Sequence, residues 1–117
     1  MGSPPYTVDF YQDGRGAQPI ENYLTTLTDK EIDAVLRTVA LLAATGPLLS
    51  YPHTKKLKGT HDLWELRVRH GRRHFRVVYT QFGERHYLLL HIFQKRSEVI
   101  RPEDIEIASR RLGTLLQ

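Results

Sequence analysis

The tightest constraint on how this chain can fold is the series of strand-like segments of alternating polarity between Leu63 and Arg96. A period of two belongs to strands, whose successive side chains point to opposite faces of a sheet. Leu63-Trp64-Glu65-Leu66-Arg67-Val68-Arg69 and His74-Phe75-Arg76-Val77-Val78-Tyr79 read as two strands joined by a Gly-containing turn at His70 to Arg73. A third strand, Tyr87 to Phe93, runs straight into Gln94-Lys95-Arg96. The turns at Gly71 and Gly83 make hairpins, so the three strands are expected to be antiparallel. Cationic side chains sit inside these strands and recur at their ends. A sheet with one greasy face and one arginine-bearing face is suited to hold a polyanion, RNA first among them.

The remaining elements surround this meander. Tyr6 to Tyr11 alternates and is bounded by prolines and Asp13-Gly14, which predicts a first strand. From Pro19, the residues Ile20, Tyr23, Leu24 and Leu27 follow helical spacing. Thr28 or Asp29 caps a second helix whose apolar residues Ile32, Val35, Leu36, Val39, Leu42 and Ala43 recur at three and four, until Gly46-Pro47 stops it. Leu48 to Asp62 is expected to be a loop. Pro102-Glu103-Asp104 opens a last helix through about Leu116, with Ile105, Ala108, Leu112 and Leu115 or Leu116 inward. The order β-α-α-β-β-β-α predicts an α+β sandwich, with the helical hairpin across one face of the sheet.

Parity assigns the faces. One side should bury Trp64, Leu66, Val68, Phe75, Val77, Tyr79, Leu88, Leu90 and Ile92 under the helices. The other carries Arg67, Arg69, His74, Arg76, His91 and Lys95. Charged residues on edge strands often serve only to block aggregation, but Arg67 and Arg76 lie mid-strand. For Trp64, stacking on RNA bases is the alternative, and its parity with Leu66 and Val68 favours the core.

At 117 residues the expectation is one domain over 1–117, with residues 1–5 a disordered lead-in. The absence of cysteine removes disulfides and thiolate metal sites and suits a reducing cytoplasm. No apolar run reaches the roughly 20 residues of a membrane span. The net charge of +4 is unevenly spread. Residues 1–52 carry three bases against six acids, whereas residues 53–76 carry eight against two, including Lys55, Lys56 and Lys58. Such a positive middle reads as a focused phosphate-binding surface. Six histidines raise the question of a metal, but no pair has helix-based His-x-x-x-His spacing or a carboxylate cluster beside it. No metal or cofactor is expected.

Lys56-Leu57-Lys58-Gly59, Leu63-Trp64-Glu65-Leu66-Arg67, Phe75-Arg76-Val77-Val78-Tyr79 and Phe93-Gln94-Lys95-Arg96 together resemble the RelE/ParE toxin superfamily, and more narrowly its HigB-like, phage-derived branch. The order of elements agrees from Tyr6 to about Leu115. The resemblance implies a toxin of a type II toxin–antitoxin system, a ribosome-dependent mRNA endoribonuclease working in the A site and inhibiting translation. The implied reaction is attack of the ribose 2′-hydroxyl on the scissile phosphate without metal. The implied partner is a small helix-turn-helix antitoxin, HigA-like. Under this resemblance Arg76 matches the arginine that clamps the scissile phosphate, Arg67 the basic position of the preceding strand, and Lys95 or Arg96 the basic pair after the last strand. Lys55, Lys56, Lys58, Arg69 and Arg73 would bind flanking RNA.

The chain departs from the family pattern at two places. Glu65 stands where some members have lysine. Arg96-Ser97-Glu98-Val99-Ile100 lacks the tyrosine that RelE-type members place there, which leaves the proton-transfer groups open. His74 and His91 are the candidate substitutes, since an imidazole titrates near neutrality; a hydrogen-bonded core role is the alternative for His91. Two other readings share the fold: a ParE-like inhibitor that binds DNA gyrase without nuclease activity, and a non-catalytic remnant that only pairs with an antitoxin.

Overall fold

A computed structural model describes residues 2–116. Strand β1 (Thr7–Phe10) is followed by helices α1 (Pro19–Leu24) and α2 (Asp29–Thr45) and a short 3-10 turn at Gly46–Leu48. Strands β2 (Thr54–Lys56), β3 (Trp64–His70), β4 (Arg73–Gln81) and β5 (His86–Lys95) precede helix α3 (Pro102–Leu115). The five strands form one sheet in the order β1-β5-β4-β3-β2. β2 to β5 pair antiparallel, and β1 runs parallel to β5, with Thr7 opposite His86. The meander and the α+β class agree with the sequence reading.

Strand β2 lies within the segment expected to be a loop. Its three residues, Thr-Lys-Lys, offer no apolar alternation, and it is held by its neighbour, with Lys55 opposite Glu65 and Lys56 opposite Trp64. Gly71 has φ 60° at the first central position of the β3–β4 hairpin, a backbone region that most residues avoid and a II′-type turn requires.

Helix α2 begins at a capping box. Thr28 Oγ1 accepts from the Glu31 amide at 3.2 Å, and Glu31 Oε1 accepts from the Thr28 amide at 2.9 Å. These bonds satisfy two amide donors that a helix start leaves free. Ala34, Val35, Val39 and Leu42 are the buried stripe of α2. With Ile20 and Leu24 of α1 they cover the first face of the sheet, packing on Leu66, Val68, Phe75, Val77, Tyr79, Leu89 and Ile92. The chain leaves α2 through Gly46 at φ 51°. A Cβ there would collide with the Tyr6 ring, so both the turn and the close approach require glycine.

Helix α3 covers part of the second face. Ala108 is fully buried against Val78, Leu88, Leu90 and Phe93, and Ile105 and Leu112 pack on the same cluster. Arg111 Nη1 donates to the Leu90 carbonyl at 2.8 Å, and Asp104 meets His91 at 2.8 Å. Leu115 and Leu116, expected to turn inward, are exposed.

Two further face assignments are corrected. Leu88 and Leu90 belong to the second face, and Leu89 takes the place expected for them on the first. The cause is a register shift in β5: Val78 pairs with His91, but Tyr79 pairs with Leu89, so Leu90 is an extra residue. A bulge of this kind reverses the parity of everything on one side of it. Trp64 keeps its parity opposite Tyr79 but lies beyond the helical cover and is 37% exposed. It lines a small cavity of about 140 Å³ with Gly46, Pro47, Leu49 and Tyr87, and the Lys56 ammonium sits 5.7 Å from its ring centroid.

Candidate nucleic-acid interface

The part of the second face that α3 leaves open is a basic basin of about 790 Å³. Its walls are Arg67, Arg72, His74, Arg76, Gln94, Lys95, Arg96, Ser97 and Glu98. Register explains the clustering. Arg67, Arg76 and Phe93 form one rung across β3, β4 and β5, and Arg69, His74 and Lys95 form the next. Residues directly opposite in a sheet share a face, so two successive rungs aim five cationic or titratable groups to the same side.

Arg67 and Arg76 are cross-strand neighbours of like charge, an arrangement that is destabilising unless compensated. The compensation comes from Glu65, 2% exposed, one rung away. Its Oε1 accepts from Arg67 Nη1 at 3.1 Å, while its Oε2 lies 3.6 Å from Arg76 Nε. The second distance is too long for a hydrogen bond, and Arg76 Nε and Glu65 Oε2 are both buried without a partner. Arg76 does donate through Nη1 to the Phe75 carbonyl at 3.1 Å.

Burial, and then the Arg67 charge, lower the pKa of Arg76, against the opposing pull of Glu65. Burial and then Arg76 lower that of Lys95. The His74 imidazole is held below its ordinary value by desolvation first and then by Arg76, Arg69, Lys95 and Arg67. At neutral pH it is therefore largely uncharged and able to accept a proton. Burial leads each of these displacements, and neighbouring positive charge adds to every one of them; crowded positive charge is the condition under which a phosphate binds well.

Of the other proposed residues, Arg96 lines the basin and Arg69 shares the rung of His74 and Lys95, and the rest are dispersed. His91 shares the second face but is directed to α3. Its Nε2 meets the buried Asp104 Oδ1 and its ring stacks on Phe93 at 5.6 Å, so it does not line the basin. Burial lowers its pKa more than Asp104 raises it. Arg73 is on the first face: it donates to Glu31 Oε2 at 2.7 Å and to Gln94 Oε1 at 2.9 Å, and lies 5.3 Å from the Phe75 ring centroid. Arg69 donates to the Gly71 carbonyl at 3.3 Å, and Arg96 to Gln94 Oε1 at 3.2 Å.

Lys55 shares the face of Glu65 on the β2 edge, Lys56 shares the face of Trp64, and Lys58 is exposed in the loop beyond. The sequence reading did not include Tyr51. This exposed ring lies 5.3 Å from the Arg67 guanidinium, within the reach of a cation–π contact. Nothing in the local sequence signals that contact, because a cross-loop approach brings the two together. Arg72, in the β3–β4 turn, lines the basin without having been expected to, as do Gln94, Ser97 and Glu98; the signal for Arg72 is its position beside Arg73.

A five-stranded mixed sheet with a helical hairpin on one face and a C-terminal helix on the other is a RelE-like fold. The crystal structure of the archaeal RelE-RelB complex from Pyrococcus horikoshii OT3 contains a chain of this fold, with a TM-score of 0.55 and 22% identity, covering 81% of this chain and 99% of that one. The chain belongs to the family described as phage derived protein Gp49-like (DUF891), which it matches over residues 22–113. Family and fold together set it in the RelE-like toxin superfamily. No curated protein matches its sequence significantly. Among the described residues, no helix is long and apolar enough to cross a membrane.

Proposed function

We propose that this chain is the toxin of a toxin–antitoxin pair and acts as an endoribonuclease on translated mRNA. The observation that carries the reading is the pair of adjacent rungs bearing Arg67, Arg76, His74 and Lys95 at one open basin. The RNA 2′-oxygen would attack the adjacent phosphorus as its proton passes to a base. The bond from phosphorus to the 5′-oxygen would then break as that oxygen takes a proton. The products are a 2′,3′-cyclic phosphate and a 5′-hydroxyl.

Negative charge grows on the phosphate as the bond forms, and fixed guanidinium groups aimed at it favour that state over the ground state. Arg67 and Arg76 supply that charge in a planar, permanently protonated form. His74, neutral near pH 7 and on the same rung as Lys95, is the proton acceptor, and Lys95 is the cation beside the leaving oxygen. The Asp104–His91 pair holds α3 against the sheet and takes no part in the chemistry.

The partner would be a small antitoxin, a reading supported by the solved relative being a RelE-RelB complex; its helix-turn-helix, HigA-like kind is what the HigB-like resemblance implies. The ribosomal A site in the cytoplasm would be the place of action. Mapping RNA ends after induction tests the reading. New 5′-hydroxyl ends within translated messages are expected, and they should disappear with Arg76→Ala. Arrest without such ends, accompanied by gyrase-dependent DNA breaks, would overturn it in favour of the gyrase-binding reading.

A further inference from the structure

The least expected group on the basic face is an acid. Glu65 is buried at mid-sheet, next to the point where Arg67 and Arg76 face each other across β3 and β4. It does not line the basin, so a bound phosphate does not touch it. It bonds Arg67 closely but leaves Arg76 Nε short of a hydrogen bond at 3.6 Å, with both atoms of that gap unsatisfied. A buried guanidinium Nε–H and a buried carboxylate oxygen, each without a hydrogen bond, are costly to maintain, and such a deficit calls for an explanation.

We propose that Glu65 is a positioning residue that acts as an internal counter-anion: it partly neutralises Arg67 and Arg76 while the basin is empty and leaves Arg76 in deficit for a phosphate to complete. One carboxylate between two guanidinium groups lets Arg76 be buried beside a half-buried Arg67 in the folded chain. It does not neutralise the cluster, since Lys95 and Arg96 stand on the same wall. An arriving phosphate adds the charge that Glu65 does not provide. Because Glu65 fixes Arg67 through a direct bond, it also sets where the Arg67 fork points before a ligand arrives.

This inference rests on the basin being a phosphate site, as under the proposed function, but not on RNA being cut there. Removing the Glu65 charge should therefore do two linked things. The ligand-free fold loses its counter-anion, and the basin binds an anion more tightly because its net positive charge has risen. A residue that merely packs would do only the first.

The test compares the purified full chain with its Glu65→Gln variant, melting each across a titration of inorganic phosphate at constant ionic strength set with chloride. The expected result is a lower Tm for Glu65→Gln without phosphate, and a phosphate-induced rise in Tm larger than that of the parent chain. Equal rises in the two proteins would overturn the counter-anion role while keeping the phosphate site. No rise in either would overturn the phosphate site itself, and the inference with it.

If Glu65→Gln is unfolded in chloride, the same titration reads refolding: recovery with phosphate but not chloride supports the proposal, and no recovery overturns it. Glu65→Gln with Arg67→Gln supplies a second measurement. Removing one of the opposed cations should return part of the lost Tm, and a further fall would overturn the role.

Discussion

Arg73 and Arg76 lie on the same strand and point to opposite faces, and each is paired with a buried glutamate. Arg73 on the first face has what a structural arginine needs. It forms a 2.7 Å bond to the carboxylate that also caps α2, another bond to Gln94, and an aromatic ring to lie over. Arg76 on the second face is more deeply buried yet less well satisfied, with a carboxylate at 3.6 Å and a like charge across the rung. The better-paired arginine stitches helix to sheet. Under the proposed function the worse-paired one is the phosphate ligand, because a guanidinium already saturated by the protein would have little to offer a phosphate. Charge and strand position alone do not separate such residues; satisfaction does.

Four experiments would break or sharpen this contrast. The largest effect is expected on the first face: Phe75, fully buried beneath the helices, should cost about 3–5 kcal/mol when cut to alanine. A chemical-denaturation midpoint that barely moves would mean that this core is not where the stability resides. Next, Arg76→Ala should lower RNA cleavage by roughly 10²–10³-fold and relieve growth arrest while the far-UV circular dichroism is retained. Arg73→Ala should reverse the pattern, lowering Tm with phosphate binding intact. Identical behaviour of the two variants would erase the distinction.

The third experiment concerns pH. His74 and His91 both have folded-state values below the ordinary 6.5. Below 6.5 the unfolded chain therefore takes up protons that the folded chain resists, and stability falls with acidification. Tm should decline as the pH drops from 7 through the histidine range, and both His74→Gln and His91→Gln should flatten the decline. In RNA cleavage only His74→Gln should change the pH profile. The smallest effect is expected at the cap: Thr28→Ala should cost about 1 kcal/mol, seen as a lower denaturation midpoint, with no change in cleavage per folded molecule.

Much of this was legible in the sequence, for identifiable reasons. Where one face of a strand is apolar and the other polar, as in Trp64–His70 and the first half of Arg73–Gln81, parity read the sheet correctly and put Arg67, Arg76, His74 and Lys95 together. It failed at Tyr87-Leu88-Leu89-Leu90, where both faces are buried and alternation carries no information, so the bulge at Leu90 left no trace. Strand β2 was invisible because it is short, cationic and held by a neighbour rather than by its own pattern. Arg73 and Arg76 look alike in sequence. What separates them are contacts from Glu31, far back in the chain, and from Glu65, whose burial could not be read from its charge.

The strand order also bears on how the molecule forms. β1 completes the sheet only by pairing with β5, Thr7 beside His86, so the earliest strand waits for the latest. Helix α3 follows later still, and until it docks, Val78, Leu88, Leu90 and Phe93 lie bare next to the arginine rungs. Contacts this distant in sequence slow folding and prolong the exposure of sticky surface. A nascent chain would thus carry its arginine-bearing face before that face has a helix docked beside it. Whatever binds the chain early, antitoxin or chaperone, meets a half-finished sheet rather than a finished one.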